Sequence, residues 1–152
     1  MKTTGFSYVT YISSTPEAVW NALLDKETTR KYWEHANVSD WRPGSRWEHR
    51  DLENKEKLDI VGKVVEFIPP RRLVLSWVDP ADEARAEKYS RVAIEIEPTA
   101  GVTRLSVVHD DLEPDSDMLK GISEGWPMVL SSLKTLLETG RALPSLWMRD
   151  AA

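Results

Sequence analysis

The sequence predicts an α+β fold in which a six-stranded antiparallel sheet carries a long C-terminal helix on its concave side, with a short helix pair after the first strand. Three observations predict it. Residues 118–140 hold one apolar stripe at helical spacing. Five segments between residues 45 and 110 alternate apolar and polar residues at the period of a strand. Helix-start residues follow directly on an alternating N-terminal segment.

The elements follow in chain order. FSYVTYIS, residues 6–13, alternates and is rich in β-formers. Ser13, Ser14 or Thr15 can then cap a helix with Pro16 at its first position and Val19, Trp20, Leu23 and Leu24 on one side. A second short helix over residues 28–33 completes the pair before the turn at RPGS. SRWEHRD, LDIVGKVVEFI, RLVLSWV, KYSRVAIEIE and VTRLSVVHD are the other five strands, separated by ENKEK, PPR, DPADEARAE and PTAG. Neighbours so close in sequence pair antiparallel.

The final helix begins after Pro114, with Asp115, Ser116 or Asp117 as its N-cap, and ends at Gly140, with Pro144 beyond. Trp126, Val129, Leu130, Leu133, Leu136 and Leu137 share one face, and Ile122, Leu119 and Met118 continue that stripe across Pro127 in the same phase. The helix therefore runs through the proline. Pro127 has no N–H for the carbonyl of Ser123, and Gly121 and Gly125 loosen the same turns, so a bend is expected there. Met128 falls on the polar side and the stripe does not explain it.

Composition bounds the function. A chain of 152 residues with 41% hydrophobic and 30% charged residues suits one domain, read here as residues 1–141, with 142–152 as a C-terminal tail. No apolar run reaches membrane-spanning length, and the N-terminus lacks an apolar signal segment, so a cytoplasmic location is expected. The absence of cysteine excludes disulfides, thiolate metal sites and cysteine nucleophiles. A net charge of −5 with scattered basic residues argues against a nucleic-acid partner. The compositional oddity is seven tryptophans.

STPEAVWNALLDKETTRKYW, GKVVEFIPPRRLVLSW and GWPMVLSSLKTLLE, in this order along most of the chain, resemble the SRPBCC (START/Bet v 1-like) superfamily, in particular the branch related to the C-terminal domain of the activator of Hsp90 ATPase. The resemblance implies a helix-grip fold, a curved antiparallel sheet wrapped around the C-terminal helix over a cavity. Its members include lipid and hormone carriers, cyclases and chaperone cofactors, so fold alone leaves function open.

Alternation assigns the interior. Leu105, Val107 and His109 face inward with Thr103; Leu73, Leu75 and Trp77 face inward on their strand; Val92, Ile94 and Ile96 do so on theirs; and Trp47 and His49 oppose an all-charged outer set of Arg46, Glu48 and Arg50. With Trp33 from the second helix and Trp126 and Leu130 from the last, these residues predict an apolar pocket with indole walls and few polar groups. The expected ligand-binding residues are Trp33, Trp47, His49, Trp77, Leu105, Val107, His109, Trp126 and Leu130. The same rings also suit a packed core. Trp77, His109 and Trp126 interlocked with no void would remove the basis for a pocket.

Catalytic signals are sparse. His35, His49 and His109 lie on different elements without metal-ligand spacing, no GxSxG or phosphate loop occurs, and the carboxylates of HDDLEPDSD suit helix capping. No metal, cofactor or catalytic residue is therefore assigned. The first reading is a binding protein for a small apolar or aromatic ligand. Alternatives are a cyclase or isomerase using His49 or His109 for proton transfer, with Asp110 or Glu48 as helpers, and a protein-interaction module of chaperone type. For the last, Leu143, Leu146, Trp147 and Met148 in the tail form the apolar candidate, whose ordinary role is packing on the domain itself or across a homodimer.

Overall fold

The computed structural model describes residues 4–145 except 52, 55 and 56. Strand β1 (Thr4–Ile12) leads into α1 (Pro16–Leu24), whose cap is Thr15: its hydroxyl accepts from the Ala18 N–H at 3.1 Å. Asp25 closes α1 and opens α2 (Lys26–Trp33), accepting from the Thr28 N–H at 3.1 Å. Glu34, at φ 60°, ends α2 in the left-handed conformation and swings the chain directly into β2 (His35–Ser39). There follow β3 (Arg46–Asp51), β4 (Leu58–Ile68), β5 (Arg72–Trp77), β6 (Ser90–Thr99), β7 (Val102–Leu112) and α3 (Asp117–Thr139).

The strands form one curved antiparallel sheet in the order β1-β7-β6-β5-β4-β3-β2. Among the described residues it has seven strands where the sequence reading expected six. The extra strand, β2, is only HANVS, with a single buried residue, Asn37, and no apolar alternation to announce it. Its pairing with β3, His35 opposite Asp51 and Asn37 opposite His49, is set by the tertiary fold. The helix-grip architecture is otherwise as expected.

Helix α3 is continuous over 23 residues with Pro127 inside it. Ser116 is the N-cap, accepting from the Leu119 N–H at 3.1 Å, and Gly140 closes the helix at φ 87°. Its buried Ile122, Trp126, Val129, Leu130 and Leu133 pack on the inward residues of the sheet, among them Ile94, Ile96, Leu105 and Val107. Trp20 belongs to this core too, tilted against Phe67 at 5.2 Å. On the outer face of β3, Arg46, Glu48 and Arg50 form the expected charged row, with Glu48 accepting from both arginines.

Two tethers fix the second half of α3 to the end of β1 and the residue just beyond it. Lys134 Nζ donates to the Tyr11 carbonyl at 2.7 Å, and Glu138 accepts from the Ser13 N–H at 2.7 Å. The start of the tail is tied down where Ser132 Oγ accepts from the Leu143 N–H at 3.2 Å. Leu146, Trp147 and Met148 lie outside the described residues. Among the described residues, no helix is long and apolar enough to cross a membrane.

Candidate ligand cavity

A cavity of about 270 Å³ lies between the sheet and the first half of α3. Its sheet side is made by His35, His49, Asp59, Ile60 and Trp77, with Trp33 reaching in from α2. The α3 side is Gly121, Ile122, Gly125, Trp126 and Val129. Gly121 and Gly125 stand one turn apart on the same face, so two successive turns present no side chain there. A Cβ added at Gly121 would meet open space.

Four of the nine residues expected at a pocket line this cavity: Trp33, His49, Trp77 and Trp126. The other five, Trp47, Leu105, Val107, His109 and Leu130, expose no surface and lie in the core behind it. Strand alternation, and for Leu130 the helical stripe, gave their face correctly, but the face extends well beyond the cavity. His35, Asp59 and Ile60 were not expected there. His35 sits on the short strand the sequence concealed, and Asp59 is brought round by an irregularity in β4. A single charge entering the apolar run LDIVG was the only hint of Asp59.

The rings form a continuous wall. Trp126 packs tilted against Trp33 at 5.3 Å and Trp77 at 5.6 Å, and Trp33 meets the ring of His49 edge-on at 4.7 Å. Such tilted and edge-to-face arrangements match positive ring edges to negative faces. Trp77, His109 and Trp126 do interlock, the first two edge-on at 5.1 Å, yet the void persists beside them.

Hydrogen bonds separate the two buried histidines. His109 Nδ1 accepts from the Trp126 indole N–H at 3.1 Å, which places its proton on Nε2 to donate to Ser90 Oγ at 2.8 Å. Ser90 in turn donates to the Trp77 carbonyl at 3.1 Å. Every polar atom of that chain is satisfied, and burial lowers the His109 pKa to about 3. His109 is thus a neutral brace between sheet and helix.

His49 is arranged differently. The Asn37 side chain donates to the Leu23 carbonyl at 3.5 Å, which turns its Oδ1 toward His49 Nδ1, 2.6 Å away. His49 therefore donates from Nδ1. Its Nε2 bonds to none of the described residues. Burial first, and the charge of the neighbouring His35 second, hold its pKa well below the ordinary histidine value. The ring is neutral and keeps a free acceptor nitrogen at the cavity. Trp77 supplies the complement: unlike Trp47, whose indole N–H donates to the Ser76 carbonyl at 2.8 Å, its buried N–H has no acceptor among the described residues.

Comparison with known proteins supports this architecture. No curated protein matches the chain in sequence. An Aha1 dimer from Colwellia psychrerythraea shares 19% identity and superposes with a TM-score of 0.76 over 91% of this chain and 99% of its own. CalU16 from Micromonospora echinospora shares 22%, with a TM-score of 0.74 over 99% of this chain and 74% of its own. An HSP90 activator from Plasmodium falciparum shares 21%, with a TM-score of 0.71 over 88% and 96%. At such identities the likeness is one of fold. Residues 13–138 match the family described as activator of Hsp90 ATPase homolog 1-like protein, and the chain belongs to that family, within the SRPBCC superfamily.

Proposed function

We propose that the chain binds one small, largely apolar aromatic molecule bearing a hydroxyl group in the cavity beneath α3. The observation that carries this reading is an indole-walled void lined by Trp77 and His49, whose buried indole N–H and ring Nε2 have no hydrogen-bond partner among the described residues. A buried polar atom without a partner costs about 1–3 kcal/mol, and a ligand hydroxyl can accept from the indole while donating to the imidazole. The volume bounds the ligand. A void of roughly 150 Å³ holds one benzene ring, so about 270 Å³ accommodates one or two fused rings. Ring faces of Trp33 and Trp126 supply the apolar contact.

The free nitrogen of His49 also favours a second reading, proton abstraction from a bound hydroxyl or an acidic C–H, as in an isomerase or cyclase. Turnover lost in His49→Phe but kept in Trp77→Phe would support catalysis over carriage.

Isothermal titration of the purified protein with phenols, naphthols, flavonoids and fatty acids tests the binding reading, with native mass spectrometry for co-purified compounds. Saturable binding of one- and two-ring hydroxyaromatics is expected, weakened about tenfold by Trp77→Phe, which keeps the ring and removes the donor. Affinity unchanged in Trp77→Phe would overturn the hydrogen-bond assignment. An absence of saturable binding across the panel would overturn the ligand reading and favour an interaction module.

A further inference from the structure

At the mouth of the cavity, β2, β3 and β4 bring three chemically active side chains together. His35 and Asp51 are direct cross-strand partners and so share a face. Asp59 joins them through a bulge. His49 pairs with Ile60 and Arg50 with Leu58, which leaves Asp59 as the extra residue of β4. Strict alternation would send Asp59 and Ile60 to opposite faces, yet both line the cavity. Bulges re-aim side chains in this way and are common beside active sites. As a result one ring nitrogen of His35 and one carboxylate oxygen each from Asp51 and Asp59 lie within 4.8 Å of one another.

The hydrogen bonds around the cluster orient it. His35 Nδ1 donates to the Trp33 carbonyl at 2.9 Å, so in a neutral ring Nε2 carries the lone pair. That nitrogen faces Asp59 Oδ2 at 2.7 Å. Two lone pairs at this distance need either a shared proton or a metal ion between them. Asp51 is held by the Glu53 and Asn54 N–H groups, which donate to its Oδ1 at 2.8 and 3.1 Å. A histidine whose other N–H is fixed by a carbonyl, beside a carboxylate fixed by backbone donors, is the outer-shell pattern of protein metal sites.

We propose that His35 Nε2 and one carboxylate oxygen from each of Asp51 and Asp59 bind a divalent zinc or first-row transition-metal ion at the cavity mouth. One imidazole with two carboxylates suits Zn²⁺, Mn²⁺, Fe²⁺ or Co²⁺ and is too poor in oxygen for Ca²⁺. Ligands about 2.1 Å from one tetrahedral ion stand about 3.4 Å apart, so His35 Nε2 and Asp59 Oδ2, at 2.7 Å, must separate by about 0.7 Å and the wider spacings of the cluster must close. The side chains of His35 and Asp59 are 17% and 29% exposed, which leaves the ion a path from solvent. Both line the cavity, so the remaining coordination positions open toward it. Lys57 Nζ lies 3.5 Å from Asp59 Oδ1 and competes for that carboxylate, but at 60% exposure it is free to swing away.

Titration of chelator-treated protein with Co²⁺, followed by visible d–d absorption and by calorimetry, tests the site without reference to any organic ligand. One equivalent is expected, with a Zn²⁺-induced rise in melting temperature. His35→Gln and Asp59→Asn each weaken binding tenfold or more, Asp51→Asn weakens it, and Lys57→Gln tightens it. Asp82→Asn, on the distant segment before β6, leaves it unchanged. Circular dichroism of the metal-free variants verifies that they fold. Wild-type protein without a d–d band, or uptake that survives His35→Gln, would overturn the site and leave His35 and Asp59 as a hydrogen-bonded pair.

Discussion

The indole N–H of Trp126 donates to Nδ1 of His109 across 3.1 Å, joining the middle of α3 to the inner face of β7. The bond spans the layer that separates core from cavity. It holds one wall of the void in place and fixes the histidine in its neutral form.

Acid should therefore weaken the fold. The His109 pKa falls from about 6.5 in the unfolded chain to about 3 in the folded one, so the folded state binds fewer protons between those values. Its contribution is fully present above pH 6.5 and is lost as pH drops toward 3, at about 1.4 kcal/mol per pH unit. Urea unfolding at pH 7, 6 and 5 measures the slope. His109→Gln, which keeps an acceptor for Trp126 and a donor for Ser90, should reduce that slope by about this amount.

Trp126→Phe should cost about 1–3 kcal/mol, because it leaves the buried Nδ1 of His109 without a donor while keeping most of the ring packing. Trp126→Ala should cost about 3–5 kcal/mol by also enlarging the void. Chemical denaturation of both variants separates the hydrogen bond from the packing.

Gly62 permits the close crossing of β4 and β5. A Cβ there would sit 1.9 Å from the Ser76 carbonyl oxygen and 2.7 Å from Trp47 Nε1, the two atoms that hydrogen-bond to each other. Gly62→Ala should destabilise the protein by about 3 kcal/mol or more, since backbone and a fully buried indole must both move. Loss of soluble expression or a sharply lower denaturation midpoint is the expected result.

Pro127→Ala should stabilise the domain by about 1–3 kcal/mol, by restoring an N–H to the Ser123 carbonyl inside α3. A thermal melt checks it. An unchanged or lower melting temperature would mean that packing of the proline ring outweighs the missing bond.

The sequence was most informative where one physical pattern ran uninterrupted. The α3 stripe crossed Pro127 in phase, and period-two alternation identified the buried faces of β5, β6 and β7. It was least informative where tertiary pairing overrode local pattern. HANVS carries no strand signature of its own, and the bulge at Asp59 inverts the side that alternation assigns. These two local events hid His35 and Asp59 and with them the polar edge of the cavity. His109 shows the converse. Its inward face was legible, but only the bonds to Trp126 and Ser90 reveal that both its nitrogens are already occupied.

The tethers from Lys134 and Glu138 at the end of β1 lie on one side of Pro127, and the glycine-bearing turns over the cavity lie on the other. Helix α3 is therefore mechanically two pieces in one rod: a clamped stem and a lighter arm that covers the void. Backbone amides of residues 128–139 should exchange with deuterium more slowly than those of residues 118–125, and the faster half is the door through which any guest of the cavity must pass.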